Sequence, residues 1–230
     1  MRKIILVGTA REQSTRIKNK MTRQFTDTTL FEIYLKKFEQ ISKMNNPFDN
    51  IIMGVSKSDK TLWKMCKNSK INIVSRSAFS VSNKATTLQE IYPFLEDYNE
   101  DYVMHVNGCF PFLKPETIIE IGNVFKSKKY TSLMCVKKRY NYFFDAKNCK
   151  PINNKDKRCS NTKTIPPVLE GVLSVICYPR KFMLENGYYW NYTKNNPYLY
   201  ILPDSIECLD IDTQLEFDVC QELWKQGDNK

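Results

Sequence analysis

The feature that most constrains this chain's fold is a regular alternation of short strand-type runs with helix-type stretches from Lys3 to Lys126. Lys3–Gly8, Ile51–Val55, Ile71–Val74 and Tyr102–Val106 are short apolar runs of strand length. Thr29-Leu30-Phe31-Glu32 has the spacing of a capping box, and Leu30, Ile33, Tyr34, Lys37, Phe38 and Ile41 follow with largely helical period. Lys60–Lys67 reads as a helix. Thr87-Leu88-Gln89-Glu90 repeats the capping pattern and predicts a helix running to about Tyr98. Pro115–Lys126 predicts another, with proline at its start, where a missing N–H is harmless. This rhythm predicts an α/β fold: a largely parallel sheet covered on both faces, with right-handed crossovers.

The rhythm breaks at Thr131. Strand-like runs at Ser132–Val136, Tyr140–Phe144 and Val172–Tyr178 surround a polar, Lys/Asn-rich stretch from Lys147 to Lys163. Residues 136–170 are therefore expected to form an inserted arm or flap within a single domain spanning 1–230. The alternation resumes with strands predicted at Tyr198–Leu202 and Cys208–Ile211 and a helix from Thr213 to about Lys225.

Charge narrows the function classes. The net charge is +10, but residues 126–181 carry fourteen Lys/Arg against three acids, whereas residues 182–230 carry three against nine. A coat for nucleic acid would not need that acidic tail, while a local positive field draws in anionic small molecules. A nucleic-acid module using Tyr140, Tyr142, Phe143 and Phe144 as stacking platforms is the competing reading. No apolar run reaches membrane length, and the eight cysteines form neither a CxxC pair nor a zinc pattern. A cytoplasmic protein with free thiols, bound to neither membrane nor nucleic acid, is expected.

Two segments can carry chemistry. The loop after the first strand, from Ala10 to Met21, concentrates Arg11, Ser14, Arg16, Lys18 and Lys20. In open α/β sheets ligands bind at the carboxyl ends of the strands, and guanidinium and ammonium groups there suit a nucleoside triphosphate. The loop has neither GxxxxGK[ST] nor GxGxxG, so a Walker-type or dinucleotide site is not supported. Near the other end, Asp210 and Asp212 flank Ile211. In an extended segment the two carboxylates would share one side and could hold Mg²⁺, which takes few protein oxygens. A plain helix cap at Asp212 or Thr213 is the competing reading. The sole histidine, His105, sits in a strand-type run without a nucleophile elbow, so hydrolase chemistry is disfavoured.

Together these segments resemble the acylneuraminate cytidylyltransferase family, the CMP-sialic acid synthetases, with the CMP-Kdo synthetases as relatives. That family opens with A-R-x-x-S-x-R-(I/L)-P-x-K-N; Ala10, Arg11, Ser14, Arg16 and Lys20 match, while Lys18 and Met21 replace the proline and asparagine. Its closing S-I-D-I-D-T is matched by Cys208-Leu209-Asp210-Ile211-Asp212-Thr213. Asn107-Gly108-Cys109-Phe110-Pro111-Phe112 is closer in shape to the Q-G-D-x-P-(L/F) of Kdo enzymes, with Cys109 where those carry a metal-binding aspartate. Ser160–Gly171 looks like the family's acceptor-side segment, with Lys163 in place of a glutamine.

The resemblance implies a Rossmann-like, three-layer, mixed but mostly parallel sheet with a β-rich dimerisation arm, and therefore a homodimer. It implies CMP transfer from CTP, with Mg²⁺, to a small acidic acceptor such as a nonulosonic acid, releasing pyrophosphate, for surface glycan biosynthesis. Arg11, Lys20 and Asp212 would be catalytic. Ala10, Arg11, Ser14, Arg16, Lys20, Arg76 and Asn107 would bind the nucleotide, and Asp210 and Asp212 the metal. A phosphonate or other small phosphorylated acceptor, and a relative that binds nucleotide without turning it over, are the alternatives.

Overall fold

The computed structural model describes residues 2–128, 130–154, 161–203 and 206–227. Lys129, residues 155–160 of the expected arm (with Cys159 and Ser160), Asp204, Ser205 and both chain ends lie outside them.

The first strand, β1 (Ile4–Thr9), is buried on both faces, as a central parallel strand must be. A two-residue hairpin, β2 (Gln24–Phe25) and β3 (Thr28–Thr29), leads into helix α1 (Leu30–Lys43). There Thr29 accepts the Glu32 N–H and Glu32 caps Thr29 in return. Strand β4 (Asn50–Ser56), helix α2 (Lys60–Lys67), strand β5 (Asn72–Arg76), the short helix α3 (Leu88–Ile91), strand β6 (Tyr102–Val106) and helix α4 (Pro115–Ser127) follow. Strand β7 (Leu133–Arg139), strand β8 (Val168–Pro179), helix α5 (Arg180–Asn186), strand β9 (Tyr198–Ile201) and helix α6 (Gln214–Lys225) complete the chain.

The sheet runs β5-β4-β1-β6-β8-β7-β9. The pairs β4–β5, β1–β4, β1–β6 and β7–β9 are parallel; only β8 runs against its neighbours β6 and β7. One face packs Ile4 and Leu6 against α1, α2, α4 and α6; the other packs Ile5 and Val7 against the α3 region and α5. The result is the expected three-layer, mostly parallel α/β architecture. Among the described residues no helix is long and apolar enough to cross a membrane, and the seven described cysteines are free thiols.

Three local expectations fail, each for a physical reason. The helix expected from Thr87 to Tyr98 stops at Ile91, because Pro93 supplies no N–H; a 3₁₀ segment at Pro93–Asp97 replaces it. Tyr140–Phe144 is not a strand. Tyr140, Tyr142 and Phe144 are exposed, and the stretch has one isolated bridge, Phe144 to Pro151. The β structure of the 136–170 region lies instead in the β7–β8 ribbon, where Val136–Arg139 pair with Val168–Gly171. Cys208–Ile211 is not a strand either. A 3₁₀ turn at Ile206–Cys208 precedes it, and the Ile211 N–H bonds the Cys109 carbonyl at 3.0 Å rather than a sheet neighbour.

Lys37 occupies an apolar position of α1 and is buried, its Nζ donating to the Phe110 carbonyl at 2.9 Å. Burial pushes its pKa down to about 7. The unfolded chain binds more protons than the folded one from there up to the ordinary 10.5 of lysine, so this group's contribution to stability rises with pH across that window. Relative to a Lys37→Met variant the parent should gain up to about 1.4 kcal/mol per pH unit above pH 7. Urea unfolding of both proteins at pH 7 and 9 reads this, and a pH-independent difference between them contradicts it.

Candidate active site

In the order β5-β4-β1-β6 the chain moves outward from β1 on one side, then returns to place β6 on the other. The helices that follow β1 and β6, α1 and α4, pack on the same face of the sheet, so the loops at the carboxyl ends of these two strands lie side by side. In open α/β sheets this is where ligands sit. Tyr34 of α1 ties the two strand ends together: it receives the Thr9 N–H at 3.3 Å and donates to the Val106 carbonyl at 2.6 Å. Gly108 lies against the same ring, and a Cβ there would meet Tyr34 Cδ1 at 2.7 Å. Gly108→Ala is expected to cost about 1–3 kcal/mol through overpacking. Chemical denaturation checks this, and parental stability contradicts it.

The loop after β1 is fixed at several points. The Ala10 N–H bonds Gly54 O at 3.2 Å, and the Glu12 carboxylate receives the Thr61 N–H of α2 at 2.7 Å. Farther along, Phe25 packs edge-on against Phe217 and Trp224, and Arg23 reaches Gln214 at 2.8 Å. This anchoring brings α6, nearly two hundred residues away in sequence, over the loop.

The consequence is a compact charged cluster. Arg16 Nη1 lies 2.6 Å from Asp212 Oδ2. The buried Lys20 Nζ donates to the Ile211 carbonyl at 2.6 Å and to Asp212 Oδ1 at 3.3 Å. Asp212 is held by the helix start itself, because the Glu216 carboxylate receives both the Asp212 and Thr213 N–H groups while Thr213 caps α6. Helix capping and carboxylate placement are thus one device, and the two readings of this motif are compatible.

Cys109 completes the surroundings. Its amide donates to Asn107 Oδ1 at 3.0 Å, its carbonyl takes the Ile211 N–H, and its thiol neighbours Lys20. Burial alone would lower the Lys20 pKa, but Cys109 and Asp212 outweigh it and hold the ammonium above its ordinary value. Asp210 is pushed up to about 6 by burial, with the Asp212 carboxylate adding to the effect. Its Oδ1 is buried and has no hydrogen-bond partner among the described residues.

A buried carboxylate oxygen without a hydrogen-bond partner, near a second carboxylate, offers donors that a hard cation would satisfy. Hard oxygen donors suit Mg²⁺, which completes its shell with water and phosphate. The residues fit the ion in that limited sense. Among the described residues no group of three or more His, Cys, Asp or Glu side chains could hold a metal by itself.

The other expected residues do not join this cluster. Ser14 is half-buried and Arg11 exposed, the latter with Nη1 3.5 Å from the Val81 carbonyl. Arg76 is buried; its Nη2 bonds the Ser80 and Ile91 carbonyls, and it lies over the Tyr92 ring. His105 meets Thr9 Oγ1 at 3.1 Å, and burial, helped by the Arg76 charge, pushes it down to about 4. It is therefore neutral near pH 7 and unsuited to act there as a general acid. Sequence reading missed Tyr34 and Glu216 as positioning groups. A buried tyrosine needs a hydroxyl partner, and Thr213-x-x-Glu216 carried its own capping signal.

Comparisons with known proteins agree with this architecture. No curated protein matches the chain significantly. Among solved structures, a 4-diphosphocytidyl-2C-methyl-D-erythritol synthase from Anaerococcus prevotii aligns with a TM-score of 0.64 at 14% identity, covering 97% of this chain and 99% of that one. A CMP:2-keto-3-deoxy-manno-octonic acid synthetase complexed with CTP gives 0.64 at 10% identity, with 97% and 99% covered. A cytidylyltransferase from Leptospira borgpetersenii gives 0.59 at 14% identity, with 98% and 88% covered. These identities establish a shared fold. The sequence model of the family described as "Cytidylyltransferase" matches residues 4–167, from β1 through the loop before β8 and well over half of the chain. The chain therefore belongs to the cytidylyltransferase family of nucleotidyltransferases.

Proposed function

We propose that the chain transfers CMP from CTP to a small acidic acceptor and releases pyrophosphate. The observation that carries this reading is the convergence of Arg16 and Lys20, from the loop after β1, on Asp212, beside the Cys109 loop that follows β6. Arg11, Arg16 and Lys20 receive the triphosphate, with guanidinium forks matching phosphate oxygens and Lys20 acting as a point charge. Ala10, Ser14, Arg76 and Asn107 border the nucleotide at the strand ends. Asp210 and Asp212 would hold Mg²⁺, which when bound supplies charge neutralisation on the phosphates. An acceptor oxygen attacks the α-phosphorus; the new P–O bond forms as the α–β anhydride bond breaks, and pyrophosphate leaves with the electron pair. Positioning and charge placement by the chain are its main contributions.

A nonulosonic acid destined for a surface glycan is the acceptor we favour, on the resemblance of the two terminal motifs. The exposed apolar residues Leu169, Leu173, Leu199 and Ile201 near the β7–β8 ribbon support a homodimer. One observation favours the second reading, nucleotide binding without turnover: Cys109 places a half-buried thiol, not a carboxylate, beside Lys20. The deciding experiment is pyrophosphate release from CTP and Mg²⁺ across nonulosonic, eight-carbon ulosonic, phosphonate and phosphorylated acceptors. It follows a thermal-shift screen of the four NTPs. CTP-selective stabilisation with acceptor-dependent release is expected. Stabilisation without release from any acceptor leaves the binding-only reading, and no stabilisation by CTP removes both.

A further inference from the structure

A second concavity lies apart from the Arg16–Lys20–Asp212 cluster. Lys36, Lys37 and Gln40 of α1, Asp27, Lys114 and Trp224 contribute to its walls, and it encloses about 490 Å³, the size of a small-molecule cleft. Trp224 stands near the last turn of α6 and Asp212 just before its first, so helix rise alone separates them by roughly 15 Å.

Lys37 is the buried cation among the residues that line it. It is 5% exposed, and its Nζ is 2.9 Å from the Phe110 carbonyl and 3.5 Å from the Pro111 carbonyl. Among the described residues no carboxylate comes within ion-pair distance of it. Glu207, which receives the Lys114 N–H at 3.0 Å, acts on it from farther away. A desolvated ammonium with carbonyl partners and no counter-ion is incompletely compensated, and an anion entering the cleft would supply what is missing. The other charges around the opening are Lys36 from α1 itself, Asp27 from the β2–β3 turn, and Lys114 and Glu116 from the start of α4. Lysines thus outnumber carboxylates along the walls, and the indole of Trp224 offers a flat apolar surface.

We propose that this cleft is a second ligand site, taking a small organic carboxylate or phosphate whose anionic end meets Lys36, Lys37 and Lys114 and whose flat body lies on Trp224. The site is connected to the Arg16–Lys20–Asp212 cluster through the backbone. Lys37 grips Phe110, and the adjacent Cys109 carbonyl holds the Ile211 N–H between the two aspartates. An anion on Lys37 strengthens that grip by drawing the amine into its charged form, so binding near neutrality takes up protons.

Benzoate is the probe of choice, because it carries no proton of its own near neutrality. Calorimetry on the full chain at pH 7.5, in two buffers of different ionisation enthalpy, should show one saturable site and uptake of a fraction of a proton per benzoate. Phenyl phosphate in the same cell tells whether phosphate or carboxylate is preferred. The double variant Lys36→Gln/Lys114→Gln, both exposed positions, should weaken binding about tenfold or more with an unchanged melting temperature. Lys37→Met should abolish proton uptake. The proposal is overturned by unaltered affinity in the double variant, by displacement of benzoate by CTP, or by binding without proton uptake. None of these readouts uses CMP transfer, so they stand or fall separately from the proposed activity.

Discussion

Asp212→Asn is expected to lower kcat/KM for CMP transfer by about a hundred- to a thousandfold, roughly 3–4 kcal/mol of transition-state stabilisation. The substitution keeps the shape of the side chain and removes its charge. Without ligand, that charge holds Arg16 at 2.6 Å and Lys20 at 3.3 Å. Losing it frees both cations, so CTP binding measured without Mg²⁺ should tighten while turnover collapses. These opposite signs separate a metal-holding role from a purely structural one, since local unfolding would weaken both. Asp212 is one-third exposed and Arg16 two-thirds exposed, so the fold should lose no more than about 1 kcal/mol. Steady-state pyrophosphate release, with CTP binding followed by calorimetry in chelator, makes the measurement. Unimpaired turnover at ordinary Mg²⁺ concentrations removes Asp212 from the mechanism.

Lys20→Met should be nearly as damaging to activity and worse for stability. Lys20 is buried, and its ammonium donates to the Ile211 carbonyl, with Asp212 as its second partner. Methionine fills similar space but leaves a buried carbonyl unpaired and two carboxylates close together with less positive charge between them. A loss of about 2–4 kcal/mol in unfolding free energy is expected, with CMP transfer reduced by at least about a hundredfold. Lys20→Arg is the control: it keeps the charge and should recover more stability than activity, because a planar fork does not reproduce a point charge in a closed space. A Met variant that unfolds at the parental denaturant concentration contradicts the buried-lock role. One that is destabilised yet fully active at low temperature contradicts the phosphate-binding role.

The α/β architecture was legible because its signals are local. Capping boxes at Thr29, Thr87 and Thr213 all form, since each needs only residues three positions apart. The misread elements have the opposite character. Tyr140–Phe144 has strand composition but, among the described residues, no partner strand along its length, and composition cannot report what lies alongside. At Cys208–Ile211 the backbone bonds the Cys109 loop, about a hundred residues upstream, instead of a sheet edge. At Pro93 two local signals compete, and the missing N–H ends the helix that the Thr87 cap begins.

The site divides in the same way. Arg16, Lys20, Asp210 and Asp212 could be picked out by chemistry and by motif. Their meeting could not, because it depends on Phe25 packing against α6 and on the strand order that sets β6 and its Cys109 loop beside β1. The sequence by itself determined which segments become helices and central strands, and which residue types are available for phosphate and metal. Only the tertiary structure decided that Lys20 lies buried between Ile211 and Asp212, that Arg76 turns to Ser80 and Ile91, and that Lys37 is buried against the Phe110 carbonyl beside a second cleft. The physical reason is range. Caps and periodicity act over a few residues, whereas burial and pairing of charge are set by whichever distant segments the fold brings into contact.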